Sequence, residues 1–361
     1  MNAADSQWMA HALRLAERGL YTTSPNPRVG CVLVLADKLV GEGWHLRAGE
    51  PHAEVHALRA AGEKTRGATA YVTLEPCSHH GRTPPCADAL IAAGVKRVVA
   101  AMQDPNPLVA GQGLQKLRAA GIEVECGLME AAARELNIGF VTRMAHGMPW
   151  VRSKIAASLD GRTALNNGSS KWITGEAARR DVQDWRARSC AVFTGVGTVL
   201  ADDPQLNVRI ETGRQPQRVI LDSQLRMPPT ARILSGGVLI YTVSADEGKR
   251  TALRRAGAEV IVLPEVAGQV DLVAVLRDLA QRGINEVLVE AGRTLNGALL
   301  KAGLVDELVL YLAPQLLGDA ARGMAGLGEL TQLQQRVDLH WRDVRQVGGD
   351  LRIVAGIAKE K

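Results

Sequence analysis

At 361 residues the chain is long enough for two domains that each bury a core, which excludes a small scaffold stapled by disulfides or metal. Hydrophobic residues at 46% and charged residues at 22% exclude a disordered or fibrous chain; the net charge of +5 is dispersed and aromatics are only 3%, which disfavours a nucleic-acid groove and suits a small anionic substrate. The start, Met1-Asn2-Ala3-Ala4-Asp5, lacks the regions of a signal peptide and no stretch reaches the ~18 apolar residues of a membrane span, so a cytoplasmic protein with no membrane partner is expected.

Residues 29–35 and 38–43 are apolar stretches joined at Asp37, and predict a hairpin. Val55, Leu58 and Arg59 give 52–61 a helical spacing that Gly62 ends. A strand over 70–74, a helix over 87–93 stopped by Gly94, a strand over 98–101, a helix over 114–120 stopped by Gly121 and a strand over 122–125 follow, with the first unit ending near Phe140. This alternation predicts a mixed sheet between helices. Gly147 and Pro149 punctuate a junction, giving expected domains 1–145 and 146–361. The second domain has predicted strands over 151–156, 191–195, 218–221, 238–241, 259–263, 286–290 and 307–313, with helices over 176–188, 247–256, 272–281 and 295–301. It is a second α/β series without internal repeats.

Five cysteines, an odd number without an export signal, make a disulfide framework improbable and direct attention to the clustered pair Cys77 and Cys86; Cys31, Cys126 and Cys190 read as inert. The residues that carry chemistry are His52-Ala53-Glu54, Glu75-Pro76-Cys77 and Pro85-Cys86. Catalytic zinc takes three nitrogen or thiolate ligands and keeps a position for water, which His52, Cys77 and Cys86 satisfy. Residues two apart diverge in mid-helix, so His52 and Glu54 converge only at a helix's first turn, off whose N-terminus the metal should lie. Pro84 and Pro85 predict a second helix starting at Cys86, and two helix N-termini favour both thiolates. Zinc lowers the pKa of bound water to about 7, and Glu54 would carry the water proton to the ring nitrogen and then to departing ammonia. H-x-E with P-C-x-x-C is the pattern of zinc deaminases acting on cytosine or adenine rings. Here the eight residues 78–85, rather than two, separate the cysteines. The competing readings are merely buried thiols, or a closed structural site with His79 or His80 as fourth ligand, which leaves Glu54 without a task.

Taken with Pro25-Asn26-Pro27-Arg28-Val29-Gly30, the stretches 75–79 and 81–86, Asp104-Pro105-Asn106-Pro107, Ser158-Leu159-Asp160-Gly161-Arg162, Trp172-Ile173-Thr174, 195–204 and Glu290-Ala291-Gly292, the chain resembles the bifunctional riboflavin-biosynthesis deaminase/reductase family over nearly its whole length. The resemblance implies a cytidine-deaminase-like α/β/α sandwich followed by a dihydrofolate-reductase-like α/β domain, with Zn2+ and NADPH as cofactors. It implies deamination of a phosphorylated aminopyrimidine, 2,5-diamino-6-ribosylamino-4-pyrimidinone 5'-phosphate, and then reduction of the product's ribose to a ribityl chain. By the same resemblance Ala156, Trp172, Thr198, Asp202, Ser223 and the loop Gly292, Arg293, Thr294, Leu295, Asn296, Gly297 and Ala298 contact NADPH, while Ser170, Arg186, Leu206, Arg209 and Glu290 contact substrate. Gly292 and Gly297 suit close approach of a phosphate, and the forks of Arg186 and Arg209 suit bidentate bonding to one. Gly195-x-Gly197 has Leu200 where the usual dinucleotide fingerprint needs glycine, so that turn is not written here. Lys154 and Asp160 lie where cofactor and substrate should meet; Lys154 either orients the sugar or is an edge-strand lysine. Glu290, after the apolar 287–289, should point into the cleft, and Ala291 stands where the family often has glycine.

Two alternatives remain: a nucleic-acid deaminase acting on transfer RNA, with a non-catalytic C-terminal binding domain, or a deaminase whose second domain is only a scaffold. The main reading expects a small-molecule partner and no nucleic acid, and a homo-oligomer is compatible with it.

Overall fold

The structure, a computed structural model, describes residues 2–79 and 85–358. They fall into two units that divide between Met148 and Pro149. No helix among the described residues is long and apolar enough to cross a membrane.

The N-terminal unit runs α1 (Ala3–Glu17), β1 (Gly30–Leu35), β2 (Lys38–Trp44), α2 (Ala53–Ala61), β3 (Thr69–Val72), α3 (Cys86–Ala92), β4 (Arg97–Ala100), α4 (Gln112–Ala119), β5 (Glu123–Cys126), α5 (Glu130–Leu136) and α6 (Ile138–His146). The strands form one sheet in the order β2-β1-β3-β4-β5. β1 is antiparallel to β2 and β3, and β3, β4 and β5 are parallel. Its core gathers the apolar strand residues, among them Val32, Leu33, Val72 and Val98, all fully buried, each worth about 1.5–3 kcal/mol of transfer free energy. α2 lies tight on β2 because Gly41 and Gly43 have no side chain: a β-carbon at Gly41 would stand 2.3 Å from the Ala57 carbonyl oxygen. A β-carbon at Gly43 would stand 2.7 Å from the Ala53 carbonyl oxygen, and that close approach fixes the first turn of α2, where the chemistry sits. Phe140, near which the unit was expected to end, lies inside α6, and Gly147 caps that helix in the left-handed region at φ 64°.

The second unit contains β6 (Trp150–Ser158), β7 (Arg162–Ala164), α7 (Glu176–Arg188), β8 (Ala191–Gly195), α8 (Val196–Asp202), β9 (Gln217–Leu221), β10 (Val238–Thr242), α9 (Glu247–Arg255), β11 (Ala258–Val262), β12 (Glu265–Val266), β13 (Gln269–Val270), α10 (Leu272–Gln281), β14 (Glu286–Val289), α11 (Arg293–Lys301), β15 (Glu307–Ala313), β16 (Arg322–Gly323), β17 (Leu339–Val347) and β18 (Asp350–Ile357). A nine-stranded sheet has the order β11-β10-β9-β8-β14-β6-β15-β18-β17. From β11 to β15 neighbouring strands are parallel, and β18 and β17 close the sheet as an antiparallel hairpin. Strands covered on both faces read as unbroken apolar runs, as in Val287-Leu288-Val289. Lys154 is therefore no edge-strand lysine: β6 pairs with β14 on one side and β15 on the other.

Candidate active sites

His52 is the N-cap of α2, with an extended backbone at φ −76° and ψ 167°, and Glu54 lies in the first turn. The two-residue spacing thus resolves as geometry requires, at a helix start. Cys86 opens α3 directly after Pro85. Its Sγ is 3.3 Å from His52 Nδ1, the Sγ of Cys77 is 3.6 Å from the same nitrogen, and the Cys86 backbone N–H donates to Cys77 Sγ at 3.3 Å. All three ligand atoms lie within 4.8 Å of one another. Zinc bonds of about 2.0–2.3 Å in a tetrahedron separate ligand atoms by roughly 3.3–3.8 Å, so the donor set fits zinc in type and spacing. A hydrogen bond from Cys86, and another with His52, hold the Cys77 thiol well below its usual range despite burial. Cys77 and burial push the Cys86 thiol up. A cation that displaces the remaining proton would leave two thiolates.

Glu54 is buried, and its Oε2 has no hydrogen-bond partner among the described residues. Burial, then the nearby Cys77 sulfur, push its carboxyl up to about 7, so it can both take and give a proton near neutrality. His79 is exposed and is not among the clustered ligands; His80 lies outside the described residues.

Three neighbours that sequence reasoning gave no role complete this site. Glu75 accepts backbone N–H bonds from Asp104 at 3.0 Å, Gly111 at 2.9 Å, Gly113 at 2.8 Å and Leu114 at 3.3 Å, tying the turn that carries Cys77 to the loop ahead of α4. His45 Nδ1 donates to the Pro51 carbonyl at 3.1 Å, which leaves Nε2 to accept from Asn26 Nδ2 at 3.1 Å. Its ring meets His52 edge-on with centroids 5.2 Å apart, and burial lowers its pKa. The signal was present in part, since Asn26 and Glu75 fall inside the motifs quoted above.

In the second unit a cavity of about 1590 Å³ opens at the carboxyl ends of the parallel strands, between the loops that follow β8, β9 and β14. Every cofactor- or substrate-contact residue expected from the sequence lines it except Asn296 and Gly297. Asn296 is fully buried, donating to the carbonyls of Ala291 at 3.1 Å and Met324 at 3.2 Å and accepting from Ser153 Oγ at 3.2 Å. Gly297 admits another loop rather than a phosphate: its β-carbon would stand 2.5 Å from the Gly326 backbone.

The expectation that Arg186 offers its fork to a phosphate is also corrected. Its Nε and Nη2 grip Glu290 at 2.5 and 3.0 Å, and Nη1 donates to the Asn207 carbonyl at 3.0 Å. Burial alone would raise the Glu290 carboxyl, but Arg186, then Lys154 and Arg209, hold it down, so the carboxylate stays charged. Burial lowers the Lys154 ammonium, with Glu290 opposing. Asp160 does not line the cavity; it accepts from the Leu317 and Gly318 backbones at 3.2 and 2.8 Å and fixes the loop after β15. Gly292 caps α11 without a side-chain bond, leaving that helix's first N–H groups open to a ligand.

Comparison with known proteins assigns a family to each unit. Residues 2–102 match the cytidine and deoxycytidylate deaminase zinc-binding region, and residues 149–353 match the RibD C-terminal domain. The class is thus a zinc-dependent deaminase carried in one chain with a reductase of dihydrofolate-reductase-like fold. The riboflavin biosynthesis protein RibD of Escherichia coli is 53% identical over 96% of this chain and 98% of its own. The solved structure of Acinetobacter baumannii RibD is 51% identical, covers 99% of both chains and superposes with a TM-score of 0.93. A deaminase/reductase structure from Thermotoga maritima is 34% identical, covers 98% of this chain and 99% of its own, and gives 0.87. The chain belongs to the RibD family, the bifunctional deaminase/reductases of riboflavin biosynthesis. Membership sets aside the transfer-RNA deaminase and the scaffold-only second domain.

Proposed function

We propose that the N-terminal unit deaminates 2,5-diamino-6-ribosylamino-4-pyrimidinone 5'-phosphate and that the second unit reduces the ribosyl chain of the resulting uracil to ribityl with NADPH. The Thermotoga maritima relative is named a diaminohydroxyphosphoribosylaminopyrimidine deaminase and 5-amino-6-(5-phosphoribosylamino)uracil reductase, and the two sites suit that pair of reactions. The observation that carries the first is the Glu54 Oε2, buried and unpartnered among the described residues beside the ligands His52, Cys77 and Cys86.

Zinc, when bound, supplies a water acidified to a pKa of about 7. Glu54 would take one proton from the attacking water at Oε2 and deliver it to the ring nitrogen next to the amino-bearing carbon, then take the remaining proton of the hydroxyl now bonded to that carbon and pass it to the amino group, so that the C–N bond breaks, ammonia leaves, and the carbonyl forms as the ring nitrogen keeps its proton. Burial suits Glu54 to this, because a carboxyl poised near 7 is neither too weak a base nor too weak an acid. Asn26, held by His45, and the turn fixed by Glu75 orient the ring and the sulfur ligand.

NADPH, when bound, supplies the hydride for the second step. Ala156, Trp172, Thr198, Asp202 and Ser223 form its bed, with the open N–H groups at Gly292 and the side chain of Arg293 toward the pyrophosphate. Glu290, locked by Arg186, and Lys154 hydrogen-bond the sugar hydroxyls. Ser170 and Leu206 bound the base, and Arg209 serves the 5'-phosphate.

The test is Glu54→Gln. It should retain its zinc by metal analysis, lose ammonia release by about 10²–10⁴-fold, and still reduce supplied deaminated intermediate. Ammonia release near the wild-type rate would refute Glu54 as the proton carrier.

A further inference from the structure

A side-chain amide offers the same donor and acceptor as a peptide group, so one asparagine can hold a stretch of backbone as a neighbouring strand would. Asn137 does this to Arg28: its Oδ1 accepts the Arg28 N–H at 2.8 Å and its Nδ2 donates to the Arg28 carbonyl at 2.9 Å, across 109 residues of sequence. We infer that Asn137 is a positioning residue of the deaminase, which through Arg28 sets the backbone that carries Asn26 and through Asn26 the seat of the pyrimidine ring. This rests on the reading above, that a pyrimidine binds beside the zinc ligands and is oriented by Asn26.

Asn137 stands directly ahead of α6 but makes no side-chain cap to it. Apart from Arg28 its amide reaches, among the described residues, only the Ala133 carbonyl at 3.5 Å. Its bonding capacity is thus given to Arg28. Both residues are almost wholly buried, where a backbone N–H or carbonyl left without a partner is costly, so the pairing holds its place. The Arg28 guanidinium tightens the grip, Nη1 donating to the Leu136 carbonyl at 2.7 Å and Nη2 to the Leu20 carbonyl at 3.4 Å. On its other side the next residue, Val29, accepts the His45 N–H at 2.9 Å.

Asn26 lies two residues ahead of Arg28, and the intervening Pro27 has a fixed φ, so little backbone freedom separates the clamp from the side chain it serves. The Asn26 amide has a defined orientation. His45 Nδ1 faces the Pro51 carbonyl and must donate, so His45 Nε2 accepts and the group turned to it, 3.1 Å away, is Asn26 Nδ2. The Asn26 Oδ1 is left with no hydrogen bond among the described residues, an acceptor for a ring N–H or amino group. The His45 ring meets that of His52, a zinc ligand, so this acceptor is one side chain removed from the metal site. The ligands and Glu54 are held separately, by the starts of α2 and α3 and by the turn that Glu75 fixes. Loosening the clamp therefore acts on ring binding while the metal and the proton carrier stay in place.

The experiment measures zinc content and the kcat and KM of ammonia release from the diaminopyrimidine phosphate, on the full chain, for wild type, Asn26→Ala, Asn137→Ala and the double variant. Asn137→Asp, of equal size but with a carboxylate that cannot donate to the Arg28 carbonyl, guards against a mere loss of volume. Asn26→Ala and each Asn137 variant should raise KM by about 10-fold, the size of one good hydrogen bond, with zinc retained and kcat little changed. The double variant should be no worse than Asn26→Ala alone, because Asn137 acts through Asn26, whereas independent effects would multiply. Wild-type KM in both Asn137 variants, effects that multiply in the double variant, or both Asn137 variants losing zinc or losing kcat at constant KM, overturns the role of Asn137 and leaves that of Asn26 standing. Wild-type KM in Asn26→Ala overturns the reading of Asn26 and this inference with it.

Discussion

Glu75 accepts four backbone N–H groups and stands two residues before a zinc ligand, so a buried carboxylate governs where Cys77 sits. Glu75→Ala would strand those donors, at about 1–3 kcal/mol for each that stays buried, and lower zinc affinity roughly 10–100-fold. Chelator competition measures this; unchanged affinity would contradict the role. Arg186→Lys keeps a positive charge but not the two-point grip on Glu290, so it should cut reductase kcat/KM while leaving ammonia release intact. The zinc ligands were legible because residue type, spacing and a helix start jointly constrain them. Arg186 was not, since its partner lies far along the chain and sequence shows a charge without showing what it meets.

At the scale of elements, buried charge joins strands that apolar packing alone would leave interchangeable. Arg152 on β6 is almost wholly buried and bonds Glu286 on β14 and Glu307 on β15. Arg152→Leu would remove the cation shared by both carboxylates, leaving Glu307 to Arg342 at 2.6 Å and Glu286 facing Arg188 at 3.5 Å, and should destabilise the second unit by up to about 3 kcal/mol, read as a lowered thermal midpoint. In the first unit Asp5 on α1 accepts from Arg97 on β4 at 2.7 Å and from the Tyr71 hydroxyl on β3 at 2.7 Å. Arg97, against the effect of burial, holds the Asp5 carboxyl well below the usual carboxylate range. Such a group contributes fully above its unfolded pKa, and the contribution fades as pH falls from about 4 toward the folded value. Asp5→Asn should therefore lower stability at neutral pH and flatten its acid decline; an identical acid slope would contradict this.

The same elements mark what the sequence could tell. The seven parallel strands were legible as apolar runs between helices. α1 was overlooked although Asn2 and Asp5 cap each other reciprocally, at 2.9 and 2.7 Å, ahead of buried Met9, Ala12, Leu13 and Ala16. That pattern is a readable start signal. β17 was not readable, because Leu339-His340-Trp341-Arg342-Asp343 is largely exposed and lacks a clean alternation.

At the scale of the molecule, each unit has its own sheet, its own core and its own chemistry. Stripping zinc with a chelator should abolish ammonia release and leave reduction of supplied intermediate unchanged, which separate assays would read. The cavity was foreseen only through resemblance, since 195–200 departs from the dinucleotide fingerprint and the wall is gathered from many loops. The measurement that bears most directly on two chemistries in one chain follows ammonia and NADPH together, with the diaminopyrimidine phosphate as sole starting substrate. One NADPH should be oxidised for each ammonia released, after a lag while intermediate accumulates, and Glu54→Gln should silence both signals. Ammonia release with no NADPH oxidation, or NADPH oxidation undiminished in Glu54→Gln, would contradict the account.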